Sequence, residues 1–328
     1  MADRDDIDFV LHLGDYTYEY ESGGYTGAFG ETVRKVEPTH ATVTLADYRI
    51  RQGAYHQDPD LARAHAAHPF ICMWDDHESA DNSYKDGAEN HDPRTQGSWT
   101  ARKHASTQAY FEWMPVRPTS LAGGQHLYRR FRFGTLTELI IPDLRSYRDK
   151  QSSARVDDPT QSITGAEQYT WLETSVTTSS TRWQVIGSEV MMVPLTIPES
   201  TDPRLADWLH EKIGLPQDGI PVNNDQWDGY AAERRKLLSA IDAAGKKNVV
   251  LVAGDIHSSW ASELPLNVSH YGSDRSGRTV ACEFTVPSIT AASPHDTIAV
   301  NRALEAPTTA LLSAGREAIR LTNPWIKD

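Results

Sequence analysis

Six short apolar runs, at residues 7–13, 69–74, 137–142, 183–187, 248–253 and 280–286, are rich in Val, Ile and Phe and read as buried strands. Between them lie longer stretches with helical spacing, at residues 59–67, 98–113, 166–174, 231–243 and 298–319. Strand alternating with helix is the signature of a layered α/β fold on a largely buried sheet.

A chain of 328 residues can bury a sizeable core as one large α/β domain or two smaller ones. Residues 149–159 and 194–222 are rich in Pro, Asp, Ser or Thr. Neither stretch separates two self-sufficient sets of strands, so both read as surface loops of a single domain over residues 1–328. The formal charge of -13, with no block of Lys and Arg, argues against a nucleic-acid-binding surface, which needs a basic stripe. An acidic protein acting on an anion needs local cations, and metal ions can supply them. Cys72 and Cys282 lie inside apolar runs and read as buried free thiols, with a single long-range bridge as the alternative. No stretch reaches the roughly 18 apolar residues of a membrane span, and the first ten residues lack the apolar core of a signal peptide.

Several of the expected strands end in a polar cluster: HLGDYTY after the first, MWDDHE after the second, IPDLRSYR after the third and VAGDIHSSW after the fifth. Ligands of open α/β sheets bind beyond the carboxyl ends of strands, so these ends are the expected site. Gly14 lets the chain turn tightly, which brings out Asp15 and, about one turn later, Tyr18. Carboxylate and phenol oxygens are hard ligands suited to Fe(III), Ca, Mn or Mg. Crowding Asp75, Asp76 and Glu78 around His77 is repulsive unless a cation compensates or water screens them. Asp255 and His257, one residue apart, can present on the same side of a tight turn. Arg145 and Arg148 are either phosphate contacts, because a guanidinium fork matches phosphate oxygens, or partners of Asp143 and Asp149 in surface ion pairs. In DQWDGY, Asp228 or Tyr230 is expected near the rim of the pocket.

Taken together, GDxxY, DDHE and GDxH in this order resemble the motifs of the calcineurin-like metallophosphatases. Asp76 stands where that superfamily has Asn, and Asp255 where it has the first His of its last motif. Those departures, with AYFEWMP, DLRSYRD and DQWDGYAAERRKLL, make the chain similar to one subgroup, the alkaline phosphatase D (PhoD-like) family, over about residues 8–288. The resemblance implies an α/β/β/α sandwich and an exported, metal-dependent phosphomonoesterase or phosphodiesterase using Fe(III) with Ca. By the same resemblance Asp15 would bridge metals, Tyr18 would ligate iron, Asp76, Asp255 and His257 would be metal ligands with Asn82 a further candidate, and His77 would face the phosphate. Asp75, Glu78 and Asp81 would orient the ligands from outside. Family members carry an earlier strand with an iron-binding cysteine and a later strand after the last helix. The fold expected here lacks both. The rival expectation is a non-catalytic protein of the same fold that binds metal or phosphate without turnover.

Overall fold

The computed structural model describes residues 1–25, 35–117, 119–121, 124–197, 200, 202–272, 277–293 and 305–327, with two compact units at Met1–Tyr128 and Arg129–Asp328. Both are mixed α/β.

In the first unit, β1 (Val10–His12) runs parallel to β2 (Phe70–Cys72), with Val10 opposite Phe70 and His12 opposite Cys72. Parallel neighbours need a crossover, and α1 (Leu45–His56) and α2 (Pro59–Ala67) supply it. Helix α1 starts at Thr44, whose hydroxyl accepts from the Asp47 N–H while the Asp47 carboxylate accepts from the Thr44 N–H. Helix α2 starts at Asp58 with Pro59 in its first turn, where the missing N–H costs nothing. After β2 come the short α3 (Pro93–Gln96) and α4 (Trp99–Trp113), followed by the hairpin of β3 (Thr119–Leu121) and β4 (Gly124–His126). Tyr48 of α1 packs on Ala105 and Ala109 of α4. Because β1 and β2 are parallel and in register, the chain leaves both at the same end. Asp15 and Asp75 each follow three residues after a paired position.

The second unit is built on a six-stranded sheet. In chain order its strands are β5 (Arg129–Phe133), β6 (Thr137–Ile141), β7 (Trp183–Ser188), β10 (Val249–Ala253), β11 (Trp260–Pro265) and β12 (Thr279–Thr285). A small separate pair, β8 (Thr196–Ile197) with β9 (Ile220–Pro221), accounts for the remaining numbers. The sheet order is β11-β12-β10-β7-β6-β5, with the four central strands parallel and both edge strands antiparallel. Helices α5 (Ala166–Thr178) and α7 (Ala231–Ala243) contribute Leu172, Val176, Leu237, Leu238 and Ile241 to the core, against Ile140, Ile186 and Leu251 of the central strands.

The runs expected as strands all fall on strands, and four of the five expected helices start within a residue of the observed ones. The fifth is described from Glu305 to Thr322; residues 298–304 of that expectation lie outside the described residues. One expectation is corrected. Residues 194–222, read as a surface loop, hold β8, β9 and helix α6 (Pro203–Ile213), which Asp202 caps and Gly214 ends with a left-handed φ of 76°. Both cysteines are free thiols, Cys72 buried and Cys282 partly so. Among the described residues no helix is long and apolar enough to cross a membrane.

Candidate metal centre

The turn after β1 and the turn after β2 meet so closely that a side chain on Gly14 is excluded. A Cβ there would lie 2.4 Å from both Cβ and N of Asp75, and φ is +109°. One carboxylate ties the two turns together. Glu78 accepts the N–H of Asp15 at 3.1 Å, of Tyr16 at 2.5 Å and of Asp75 at 2.7 Å. Asp15, Asp76 and His77 consequently offer ligand atoms all within 4.8 Å of one another, in a group that could hold a metal ion. Tyr18 reaches the same place, its hydroxyl donating to Asp15 Oδ2 at 3.3 Å.

The electrostatics of this group favour a cation. Burial raises the Asp15 carboxyl well above its ordinary value; Asp76, Asp75 and Glu78 add repulsion and His77 pulls the other way. Burial also raises the Tyr18 phenol, with Asp15 and Asp76 reinforcing it. At His77 burial would lower the pKa, but Asp76, Asp15 and the hydrogen-bonded Glu19 raise it well above the usual value. Asp81 is pushed up to about 6 by burial and by Asp76. A cation among these oxygens would offset both the burial that raises the carboxyls and the repulsion between them. Two carboxylates with a phenol fit a hard metal ion.

Supporting groups hold each donor. Glu19, which is buried, receives the His77 Nδ1–H at 2.8 Å, the Asp81 N–H at 2.8 Å and the Asn90 amide at 2.5 Å. Asp76 Oδ2 accepts the Asn82 N–H at 2.6 Å, while the Asn82 side-chain amide donates to Glu89 at 2.6 Å. Arg51 of α1 donates to the carbonyl of Tyr18 and to that of Pro38 at 2.9 Å, and Tyr55 accepts the Tyr18 N–H at 3.4 Å.

In the second unit the turn after β10 carries Asp255 and His257, both with left-handed backbone. Asp255 accepts from Arg145 at 3.0 Å and from the Gln226 amide. His257 Nδ1 lies 2.8 Å from the Ala292 carbonyl, which can only accept; Nδ1 therefore carries the proton, and in the neutral ring Nε2 keeps the lone pair a metal would use. Arg145 and Arg148 are buried and converge on Asp225, at 2.8 and 2.6 Å. Arg145 thus bridges Asp225 and Asp255, and Arg148 shares Asp225 with it. Asp228 is buried under Arg234 and accepts the Leu195 N–H at 2.8 Å, and Tyr230 donates to the Asp149 carbonyl at 2.6 Å.

Sequence reasoning passed over Glu19, Arg51, Asp225 and Gln226. The last two sit in the quoted DQWDGY, beside the residues chosen from it, and Glu19 lies between two tyrosines of the opening motif. Nothing in the sequence distinguishes Arg51 from a surface arginine.

A model of the PhoD-like phosphatase family matches residues 1–323. Alkaline phosphatase D of Bacillus subtilis (strain 168) is 32% identical over 297 residues, covering 88% of this chain and 47% of that protein. A solved structure described as that of PhoD aligns with 100% of the chain and 57% of its own, at a TM-score of 0.79 and 30% identity. The chain thus spans about half the length of the curated relative it matches.

Proposed function

The chain belongs to the PhoD-like phosphatase family, and from that premise we propose that it hydrolyses phosphate esters with the help of bound metal ions. The observation that carries the reading is the grouping of Asp15, Asp76 and His77 within 4.8 Å, with Tyr18 bonded to Asp15. Asp15, Tyr18 and Asp76 are proposed as metal ligands, as are Asp255 and His257 by match to the family's last motif. Asn82 is a further candidate through Oδ1, since the amide nitrogen is the atom that donates to Glu89. Fe(III) with Ca is the metal set that family membership favours. Bound cations would supply the positive charge that draws in a phosphate and makes water acidic enough to attack it.

The chain's own residues set the geometry of that reaction. Glu78 fixes the spacing between the Asp15 and Asp76 turns by gripping three backbone N–H groups at once. Glu19 holds the His77 ring by Nδ1, which leaves Nε2 as the nitrogen that faces the phosphoryl or leaving-group oxygen. Arg145 and Arg148 enter substrate binding through Asp255 and Asp225, whose positions their buried guanidinium groups maintain. The same clamp serves monoesters and diesters, so loops select between them.

The test is metal content together with turnover. Elemental analysis of the purified chain should find near-stoichiometric bound metal, and hydrolysis of a phosphate monoester or diester should vanish in Asp15→Ala and in His257→Ala. Full activity in either variant would exclude this mechanism. Comparing wild-type rates on one monoester and one diester then assigns the preference.

A further inference from the structure

His77 has neighbours of a second kind. Tyr18 stacks on its ring with centroids 4.4 Å apart, Tyr20 lies at 5.3 Å and Tyr25 at 6.3 Å. The tyrosines also touch one another: Tyr18 and Tyr25 stack at 4.9 Å, and Tyr20 and Tyr25 at 5.6 Å with their planes only 9° apart. Tyr18 and Tyr20 flank the buried Glu19, whose carboxylate holds the same His77 ring by Nδ1. Tyr18 is bonded to Asp15, so its place is with the ligands. Tyr25 is 41% exposed although it touches three rings. A large aromatic left that open, beside a residue read as facing phosphate, is the part of the cluster an incoming molecule can reach.

We propose that Tyr20 and Tyr25 form an aromatic rim for the leaving group, which favours phosphate esters of aryl or other planar alcohols over those of alkyl alcohols. The proposal rests on His77 facing the phosphate. Planar groups stack in offset or edge-on contact with such rings and lose little freedom in doing so, whereas a flexible alkyl chain matches neither ring plane. The parallel planes of Tyr20 and Tyr25 set the orientation of that contact, and Tyr25 supplies most of its open surface.

Phenylphosphonate and methylphosphonate, which carry the same head group and cannot be hydrolysed, separate the rim from the chemistry. The full chain, reconstituted with ferric iron and calcium, should bind the phenyl compound roughly two- to tenfold more tightly in calorimetric titration. Tyr25→Ala should bring the two affinities together, and Tyr25→Phe, which keeps the ring, should preserve the ratio; Tyr20→Ala should reduce it in part. Equal affinities in the wild type, failure to bind either phosphonate, or a ratio that survives Tyr25→Ala would each overturn the rim. Turnover of 4-nitrophenyl phosphate is read separately. Its absence with the phenyl preference intact counts against the hydrolytic reading and leaves the rim standing, whereas turnover without any phenyl preference does the reverse.

Discussion

Asp15, Asn82, Asp255 and His257 are the non-glycine residues with left-handed backbone among the described residues, at φ of 56°, 51°, 66° and 52°. Each position costs roughly 1–2 kcal/mol relative to ordinary backbone. All four are residues the motifs single out, which is where such strain usually concentrates. These positions were legible because Asp, Asn and His combine ligand chemistry with tolerance of that backbone, and because Asp15 and Asp255 each follow a glycine just past a strand end. The supporting residues were legible only in part. The motif marks Glu78 as a group that orients the ligands, but only the folded chain shows that it does so by gripping three backbone N–H groups, and Glu19 carried no signal of its own. Gly14 is the most exposed to test at this scale. Gly14→Ala must both hold φ near +109° and press a methyl group into Asp75, so it should destabilise by roughly 3 kcal/mol or more and weaken metal retention. Urea unfolding and elemental analysis check the two effects. Wild-type stability with normal metal content would show that the two turns do not depend on their close approach.

The strands of the central sheet were easy to read because parallel strands covered on both faces are continuously apolar, as VVLVA of β10 is. Helix α1 was missed for the converse reason. Its inward residues are Tyr48, Arg51 and Gln52, so LADYRIRQGAYH shows no apolar stripe. Strand β5, RRFRF, mixes arginine and phenylalanine at an exposed edge, and α6 hides behind Asp202, Pro203 and Gly214, which serve as cap, first turn and stop. What α1 does for the site follows from that polar inner face. Arg51 is 1% exposed and bonds to the carbonyls of Tyr18, Glu37 and Pro38, so the helix braces the Tyr18 segment. Arg51→Met keeps most of the aliphatic bulk but leaves those carbonyls without their donor. It should cost about 2–4 kcal/mol and lower metal affinity along with stability. Arg51→Lys, with a single ammonium in place of the fork, should recover only part of both. Metal titration of the variants, followed at a temperature where all remain folded, decides the matter; unchanged affinity would confine Arg51 to a structural part.

Across the whole molecule the acidity seen in the composition is partly buried, and burial makes stability depend on pH. Glu283, 1% exposed in β12, accepts the N–H groups of Met192 at 2.8 Å and Val193 at 3.2 Å. Burial nevertheless pushes its carboxyl from 4.5 up to about 7, with these donors pulling the other way. Between those two pH values the folded protein keeps a proton that the unfolded chain has already lost. The stability associated with that proton is full below pH 4.5, declines as pH rises through about 7, and does not change further above it. At roughly 1.4 kcal/mol per pH unit the total is on the order of 3 kcal/mol. Glu78 and Asp81 are also raised, so the wild type alone cannot isolate the effect. Glu283→Gln can, because its amide oxygen still accepts the two N–H groups and its charge no longer changes with pH. Urea unfolding of both proteins at several values between pH 5 and pH 8 should show the variant gaining on the wild type by up to that amount as pH rises. Curves that stay parallel would mean that Glu283 is solvated or relaxes as it ionises, and that the acidic balance of the chain is carried at its surface.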